Sequence, residues 1–501
     1  MIESRSIPRK DSASTHNYMK LFRILGVILL LLTTLAANTQ HARAGAGTLI
    51  VNSVGDGADA NAGDGLCATA SGVCTLRAAL EEADSYADPV NIYFNIPGSG
   101  VHVISPKSGH LPGVFAPINL DATTQPNCTV PCIVLNGANL SGPNIDALDV
   151  YKGATIKGFS IVSWSSGYAI NMLDNNTIQS NYIGLRPDQS TSLGNRGGIE
   201  INGSNNLVGG PLPGQRNIVS NSLRYGFAVG NAQDVIATSN IIQNNYIGTD
   251  PTGTKAMGNK EGGIILTDQT DGIRIINNLI SGNKKWGIRA FGAANTVIQG
   301  NKIGTDAGGT GALGNDAYGI LSDHGAHGAI IGGSLKGQAN IIAFNKGAGI
   351  GVWCPTGVNN RIQRNSIFSN ARLGIDLEPG DPGVTINDTG DADIGPNNLQ
   401  NFPVLSSATS ATRMIKGKLN STLSQTYTIE FFSSPAGTCD PFKYGEGKKF
   451  IGAVDILTNA SGNAFFNIKA SKAFTSGEVI TATATDSSGN TSEFSACQVA
   501  K

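Results

Sequence analysis

The chain has 501 residues, a net charge of −1, 65 glycines, and charged side chains at only 14% of positions, where soluble domains usually carry about a quarter. No basic run follows the N-terminus, which excludes a nucleic-acid footprint. The balance speaks against a helical cytosolic enzyme and for a turn-dense, β-rich exported protein, long enough for two or three domains.

Lys20 and Arg23 precede an apolar run from Ile24 to Leu35, and Ala42-Arg43-Ala44 supplies a small-x-small cleavage site. This predicts an export signal over residues 1–44, with Met19 as a second possible start. The run is short for a bilayer span and no other follows, so the mature chain should carry no transmembrane segment. Its expected location is the cell surface or the medium.

Thr48 to Asn52 reads as a strand, followed by a Gly/Asp/Asn loop holding Asp56, Asp59, Asn61 and Asp64. Cys74 to Ala83 makes an amphipathic helix with Leu76, Ala79, Leu80 and Ala83 on one face. Residues 45–132 are expected to cap a solenoid, whose first open coil would otherwise present bare edges. The run Cys74-Thr75-Leu76-Arg77-Ala78-Ala79 and the preceding Gly63-Asp64-Gly65-x-Cys67 resemble secreted bacterial right-handed parallel β-helix proteins with an N-terminal Cys-Ser-Leu-Arg-Glu-Ala motif. Thr75 stands for the serine, while Ala78 replaces the acid and loses any pairing it made. The Ile-Gly-Thr-Asp repeats further on share the resemblance. It implies a pectate-lyase-like, three-sided solenoid over nearly the whole mature chain, and no particular activity.

The repeats are independent support. Asn176 to Ile199, Asn240 to Ile264 and Asn295 to Ile320 are long versions of one unit; Asn278 to Ile288, Asn340 to Ile350 and Asn365 to Ile375 are short ones. Self-similarity at this period marks a solenoid. Gly-Ile steps end at 199, 264, 288, 320, 350 and 375, with Gly226-Phe227 in the same slot. Apolar residues two apart give strands too short for helices, and the 24 residues between Ile264 and Ile288 leave room for three of them per coil. Asn181, Asn245, Asn283, Asn301, Asn345 and Asn370, with Ser222, are expected to stack in one register as an amide ladder. Gly214-Gln215-Arg216-Asn217-Ile218 returns as Gly337-Gln338-Ala339-Asn340-Ile341, which points to a duplicated block. Coils are predicted over residues 133–402. After Pro403 longer alternating strands (Tyr427 to Phe432, Phe450 to Leu457, Ala464 to Ile468, Val479 to Thr485) predict an immunoglobulin-like β-sandwich over residues 403–501.

Seven cysteines fit an oxidising compartment, and none has zinc-site spacing. Cys67 with Cys74, Cys128 with Cys132, and Cys439 with Cys497 are the expected disulfides. Cys354 is left over and is read as a buried thiol.

A β-helix offers flat faces suited to extended polymers, and similar folds host pectate lyases, polygalacturonases and uronate epimerases, but fold alone gives no function. Aligned on the Gly-Ile step, the next position reads Glu200, Ala228, Ile265, Arg289, Leu321, Gly351 and Asp376, with no neighbouring carboxylates. Two further on stand Phe291, Asp323, Trp353 and Glu378, with His324 adjacent. Asp323 and Glu378 fall two coils apart, about 9.6 Å at the backbone, near the separation of carboxylates in inverting glycosidases. Trp353 between them could stack on a sugar. Phe291, His324, Trp353 and Asp376 are therefore candidate ligand contacts, and Asp323 and Glu378 candidate catalytic acids. Asp56, Asp59 and Asp64, and Asp388, Asp391 and Asp393, space oxygen ligands as Ca²⁺ would accept them. Asp250 and Asp306 are expected to cap their own loops. The favoured function is a non-catalytic, adhesin-like rod contacting polysaccharide; the alternatives are a polysaccharide hydrolase or lyase, and a structural spacer.

Overall fold

A computed structural model describes residues 47–87, 89–188, 194–232, 235–378, 383–439 and 443–501. The predicted export signal, residues 1–44 with Met19, lies outside them. Three parallel sheets run along one axis, and the chain visits each in turn. Among the described residues the first has eleven strands, from Thr48–Val51 to Arg361–Gln363, and the second ten, from His102–Ile104 to Ser366–Phe368. The third has nine, from Leu148–Lys152 to Ile375–Leu377. This is the expected right-handed, three-sided parallel β-helix. Alternate residues point inward, so Ile199, Phe227, Ile264, Ile288, Ile320, Ile350 and Ile375 stack as one buried column.

Stacking begins earlier than the repeats indicate. Thr48–Val51 already pairs with Val90–Phe94, and that strand with Ile118–Asp121, so the expected cap at 45–132 holds coils of its own. Those coils lack the Gly-Ile and Asn marks and carry long loops, which hides their period. The capping element proper is helix α1 (Leu76–Ala83), whose Leu76 and Leu80 share the solenoid core with Val51 and Ile92. Thr75 caps it by accepting from the Ala78 N–H at 3.0 Å. Arg77 ties the helix to the loop through Asp56 (2.9 Å) and to the His110 carbonyl (2.7 Å).

The asparagines expected in a single row fall into two ladders, and a third, shorter one joins Asn206 to Asn240 (2.9 Å) at the corner after the third sheet. Asn181, Asn217, Asn245, Asn278, Asn301, Asn340 and Asn365 stack at the corner between the first and second sheets, each amide donating to the next at 2.8–3.2 Å. Asn259, Asn283, Asn315, Asn345 and Asn370 form the second ladder, at the corner before the third sheet, and the Ser222 N–H donates into it at Asn259. The Gly-Thr-Asp insertions separate the two ladders in the long coils, so Asn245 neighbours Asn278, and Asn283 neighbours Asn259. Each insertion is a closed turn: the Asp306 carboxylate accepts from the N–H groups of Thr310 and Gly311 (3.1 and 3.0 Å), and these bonds hold its pKa below the usual value. Asp250 caps its loop in the same way. The Gly-Ile step has a steric cause. A Cβ on Gly263 would lie 2.5 Å from the Gly287 carbonyl oxygen of the next coil, too close for any side chain.

The C-terminal strands make two antiparallel sheets. Val404–Thr409, Met414–Asn420 and Asn463–Lys469 form one; Lys449–Leu457, Thr426–Ser434, Val479–Thr485 and Gln498–Val499 form the other. They close over a core of their own that includes Ile415, Ile429, Phe431, Phe466 and Ile480. Strands one, two and five face strands four, three, six and seven, an immunoglobulin-like order. The sandwich also closes the last coil. Glu446 continues the second ladder by accepting from the Asn370 amide (2.9 Å), Glu493 accepts from the Leu377 N–H (2.9 Å), and Glu430 from the Arg364 N–H (2.9 Å). Disulfides join Cys67 to Cys74, Cys128 to Cys132 and Cys439 to Cys497. Cys354 is free but half-exposed, not buried as expected, because its backbone turns outward at φ 90° just past a strand end.

Candidate functional site

The third sheet presents one outward face along the rod. Pairing register sets its central column as Asp149, Asn171, Glu200, Ala228, Ile265, Arg289, Leu321, Gly351 and Asp376. The two ends of this column carry different chemistry.

Toward the C-terminal end lies a cluster of rings with two cations, the Lys285 ammonium being 5.4 Å from the Trp286 ring centre. The Arg289 guanidinium sits 4.6 Å from the Trp286 ring centre and 5.0 Å from that of Phe291, within cation–π range. The His324 imidazole stacks on Phe291 at 3.8 Å. Trp353 follows one coil on and is 48% exposed. The predicted stripe is thus assembled in Phe291, His324 and Trp353, and Trp286 and Arg289 extend it. The expected pair of catalytic acids is not formed as read. Asp323 is buried and locked on Arg289, with Nη2 at 2.6 Å and Nε at 3.0 Å, so its charge is already neutralised. Glu378 is exposed at the end of its strand. Asp376 is buried rather than on the surface, and desolvation pushes its pKa up to about 6, partly offset by Arg372.

Toward the N-terminal end, three coils earlier, a polar cavity of about 490 Å³ is lined by Asn144, Asp146, Tyr168, Asn171, Arg196, Glu200 and Asn231. One Asn171 amide bridges two acids, reaching Asp146 Oδ2 at 3.3 Å and Asp149 Oδ1 at 3.1 Å. The Tyr168 N–H donates to Asp146 Oδ1 (2.6 Å), and Asn231 donates to Glu200 Oε1 (2.7 Å). Burial, then the neighbouring charges of Asp149 and Glu200, raise Asp146 to about 7. Tyr168 is only 4% exposed and forms part of the cavity wall. Its ring occupies the space that Gly197 leaves open; a Cβ there would collide with it. Sequence reading missed this cavity because the column was started at Glu200. Extending the in–out alternation back through Leu148-Asp149-Val150 and Ile170-Asn171-Met172 adds Asn171, which lines the cavity, and Asp149, which borders it through the Asn171 amide.

The metal candidates divide. Asp388, Asp391 and Asp393 each bring a carboxylate oxygen within 4.8 Å of the others and could hold a divalent cation such as Ca²⁺. Burial raises Asp391 to about 6, the other two acids adding to the effect of burial. Asp391 also accepts hydrogen bonds from Gln400, Ser421 and the Asn401 N–H, which tie this loop to the sandwich. Asp56, Asp59 and Asp64 do not come together among the described residues. Asp56 pairs with Arg77 and accepts from the N–H groups of Lys107 and Ser108. Asp59 and Asp64 close turns onto Asn61, Ala68 and Leu66. In that loop the helix acids Glu81 and Glu82 receive the backbone N–H groups that a metal loop would leave free.

A family model described as a right handed beta helix region matches residues 262–389. No curated protein matches the chain. Among solved structures it is similar to the A-module of a mannuronan C-5 epimerase from Azotobacter vinelandii, at 15% identity over 61% of this chain and 85% of that one, TM-score 0.35. It is also similar to the enzymatically active domain of tailspike protein 2 of bacteriophage CBA120 (13% identity, 91% and 77% covered, TM-score 0.29). A third is the tailspike protein gp49 of the Acinetobacter baumannii bacteriophage Fri1, a capsular polysaccharide depolymerase (10% identity, 81% and 76% covered, TM-score 0.22). Likeness at these identities and scores says nothing of what this chain acts on. Its fold rests on the strand pairing above.

Proposed function

We propose that this is an exported protein that holds an extended polysaccharide along the outward face of its third sheet. The observation that carries the reading is the cluster of Trp286, Arg289, Phe291, His324 and Trp353 on adjacent coils of a flat face. Sugar rings present apolar C–H faces that stack on exposed aromatics, and polar edges that take hydrogen bonds from a guanidinium or imidazole. Coils about 4.8 Å apart repeat such contacts along the axis, as a polymer requires. Three disulfides fit a compartment outside the cytoplasm, and no helix among the described residues is long and apolar enough to cross a membrane. The protein is then either released or held at the cell surface.

Glycan-array binding of the purified chain, followed by titration of the best ligand, tests this. Trp353→Ala is expected to weaken binding by about 1 kcal/mol, roughly fivefold, with an unchanged thermal melt. Binding that survives both Trp353→Ala and Phe291→Ala at full strength would remove the face from consideration.

A further inference from the structure

We propose that the polysaccharide on this face is one long, unbranched chain spanning two aromatic anchors: the ring cluster around Phe291 and Trp353, and a second anchor of Phe115 and Tyr151 near the N-terminal end of the rod. The inference rests on the binding reading above and adds the length of polymer that the face takes.

Strand register puts both anchors in a single column. Tyr151 stands two residues past Asp149, as Phe291 stands two past Arg289 and Trp353 two past Gly351, so the three hold equivalent places on their coils. Tyr151 is seven coils from Trp353. Phe115, on the coil before, is brought opposite Tyr151 by the bridge between Val114 and Val150. At about 4.8 Å per coil, Tyr151 and Trp353 are about 34 Å apart.

The second anchor has the properties of a contact surface. The rings of Phe115 and Tyr151 stack at 4.1 Å and 18°, yet Phe115 is 59% and Tyr151 37% exposed. Rings left open side by side, in line with another aromatic cluster, mark a contact surface rather than a core. Gly113 lies against both, a Cβ there falling 3.0 Å from Tyr151 and 3.1 Å from Phe115. Stacking and backbone thus hold the pair in place beforehand, and little side-chain freedom is lost on binding. Between the anchors the column passes through Leu173, Asn202, Gly230 and Thr267. The polar cavity opens beside this stretch, one and two coils past Tyr151, at Asn171 and Glu200. Its amides, carboxylates and the Arg196 guanidinium meet the polar edges of sugars there.

The spacing selects the ligand. A pyranose linked through opposite ring carbons advances its chain by about 5 Å, close to one coil spacing, so about seven sugars bridge the anchors. A short oligosaccharide reaches one anchor at a time. A longer chain bound at one anchor meets the other at high effective concentration, and its affinity rises without any new kind of contact.

Calorimetric titration of the full chain with oligosaccharides of four and of ten sugars, prepared from xylan, mannan, polygalacturonate and alginate, tests this, beside retention of the parent polymers. In the series that binds, the longer chain is expected to bind one per protein and at least about tenfold tighter than the shorter. Phe115→Ala with Tyr151→Ala should remove most of that gain, as should Trp353→Ala. The length dependence of the unmodified protein needs no variant and stands even if a substitution disturbs folding. Equal affinity for the two lengths, two long chains per protein, or a polymer retained while neither length binds overturns the spanning chain and leaves the binding face intact. So does a long-chain affinity that Trp353→Ala weakens and the Phe115→Ala, Tyr151→Ala pair does not. Binding of neither length and of no polymer overturns both.

Discussion

Asp323 shows how a residue read correctly in position can be read wrongly in role. Its place on the stripe follows from strand alternation, but its partner, Arg289, comes from the preceding coil. The pair is nearly buried on the acid side, and such pairs are costly to break from one end. Arg289→Met should destabilise the fold by about 3 kcal/mol or more, visible in chemical denaturation, because Asp323 is left enclosed and uncompensated. The double variant Arg289→Met with Asp323→Leu should recover most of the loss. Equal destabilisation by the single and double variants would mean that packing of Arg289 on Trp286 and Phe291, not charge pairing, carries the stability.

At the scale of the element, the corners hold the coils in register. Asn301 illustrates the load. Its amide donates to the Ile275 carbonyl (2.8 Å) and to Asn340 (3.0 Å), and its oxygen accepts from the Asn278 backbone and side chain (2.8 and 3.1 Å). Asn301→Ala strands several buried polar groups in a dry corner, where each costs about 1–3 kcal/mol. A loss of about 3 kcal/mol is expected, with hydrogen exchange accelerating first at Asn278 and Asn340, its neighbours in the ladder. Uniform acceleration over the whole rod would show that the ladder transmits the defect instead of containing it.

For the whole molecule, the sandwich closes the solenoid through carboxylates placed where another coil would supply amides. A chain ending at Pro403 should therefore expose the last coil and its strand edges and self-associate; sedimentation showing a stable monomer would contradict this. Several acids buried in the fold also set its pH response. Asp376 and Asp391 are raised to about 6 and Asp146 to about 7, above an unfolded aspartate near 3.9. Folded chains thus bind more protons than unfolded ones between about pH 4 and 7, and stability falls as pH rises through that window. Glu493, pushed up by burial at the interface, acts in the same sense. The melting temperature should be higher at pH 5 than at pH 7.5. Below about pH 4 the lowered Asp306 works the other way, its contribution being lost on protonation.

Much of this fold is legible in the sequence. The Gly-Ile step, the short alternating runs and the recurring asparagines declare a coil, since only a close-packed corner demands glycine and only stacked coils repay a buried amide at each turn. The switch to longer strands after Pro403 declares the sandwich. The aromatic stripe is legible too, because strand alternation fixes which side chains face out. Other features depend on which coils lie next to each other. Local sequence cannot separate two asparagine ladders when insertions of variable length lie between them. Nor can it show the early coils, whose period is drowned by loops, or that Arg289 neutralises Asp323. The acid cavity at Asp146 and Glu200 belongs to this second group. Its residues are far apart along the chain, and the burial and mutual repulsion that raise the Asp146 pKa exist only once the coils are stacked.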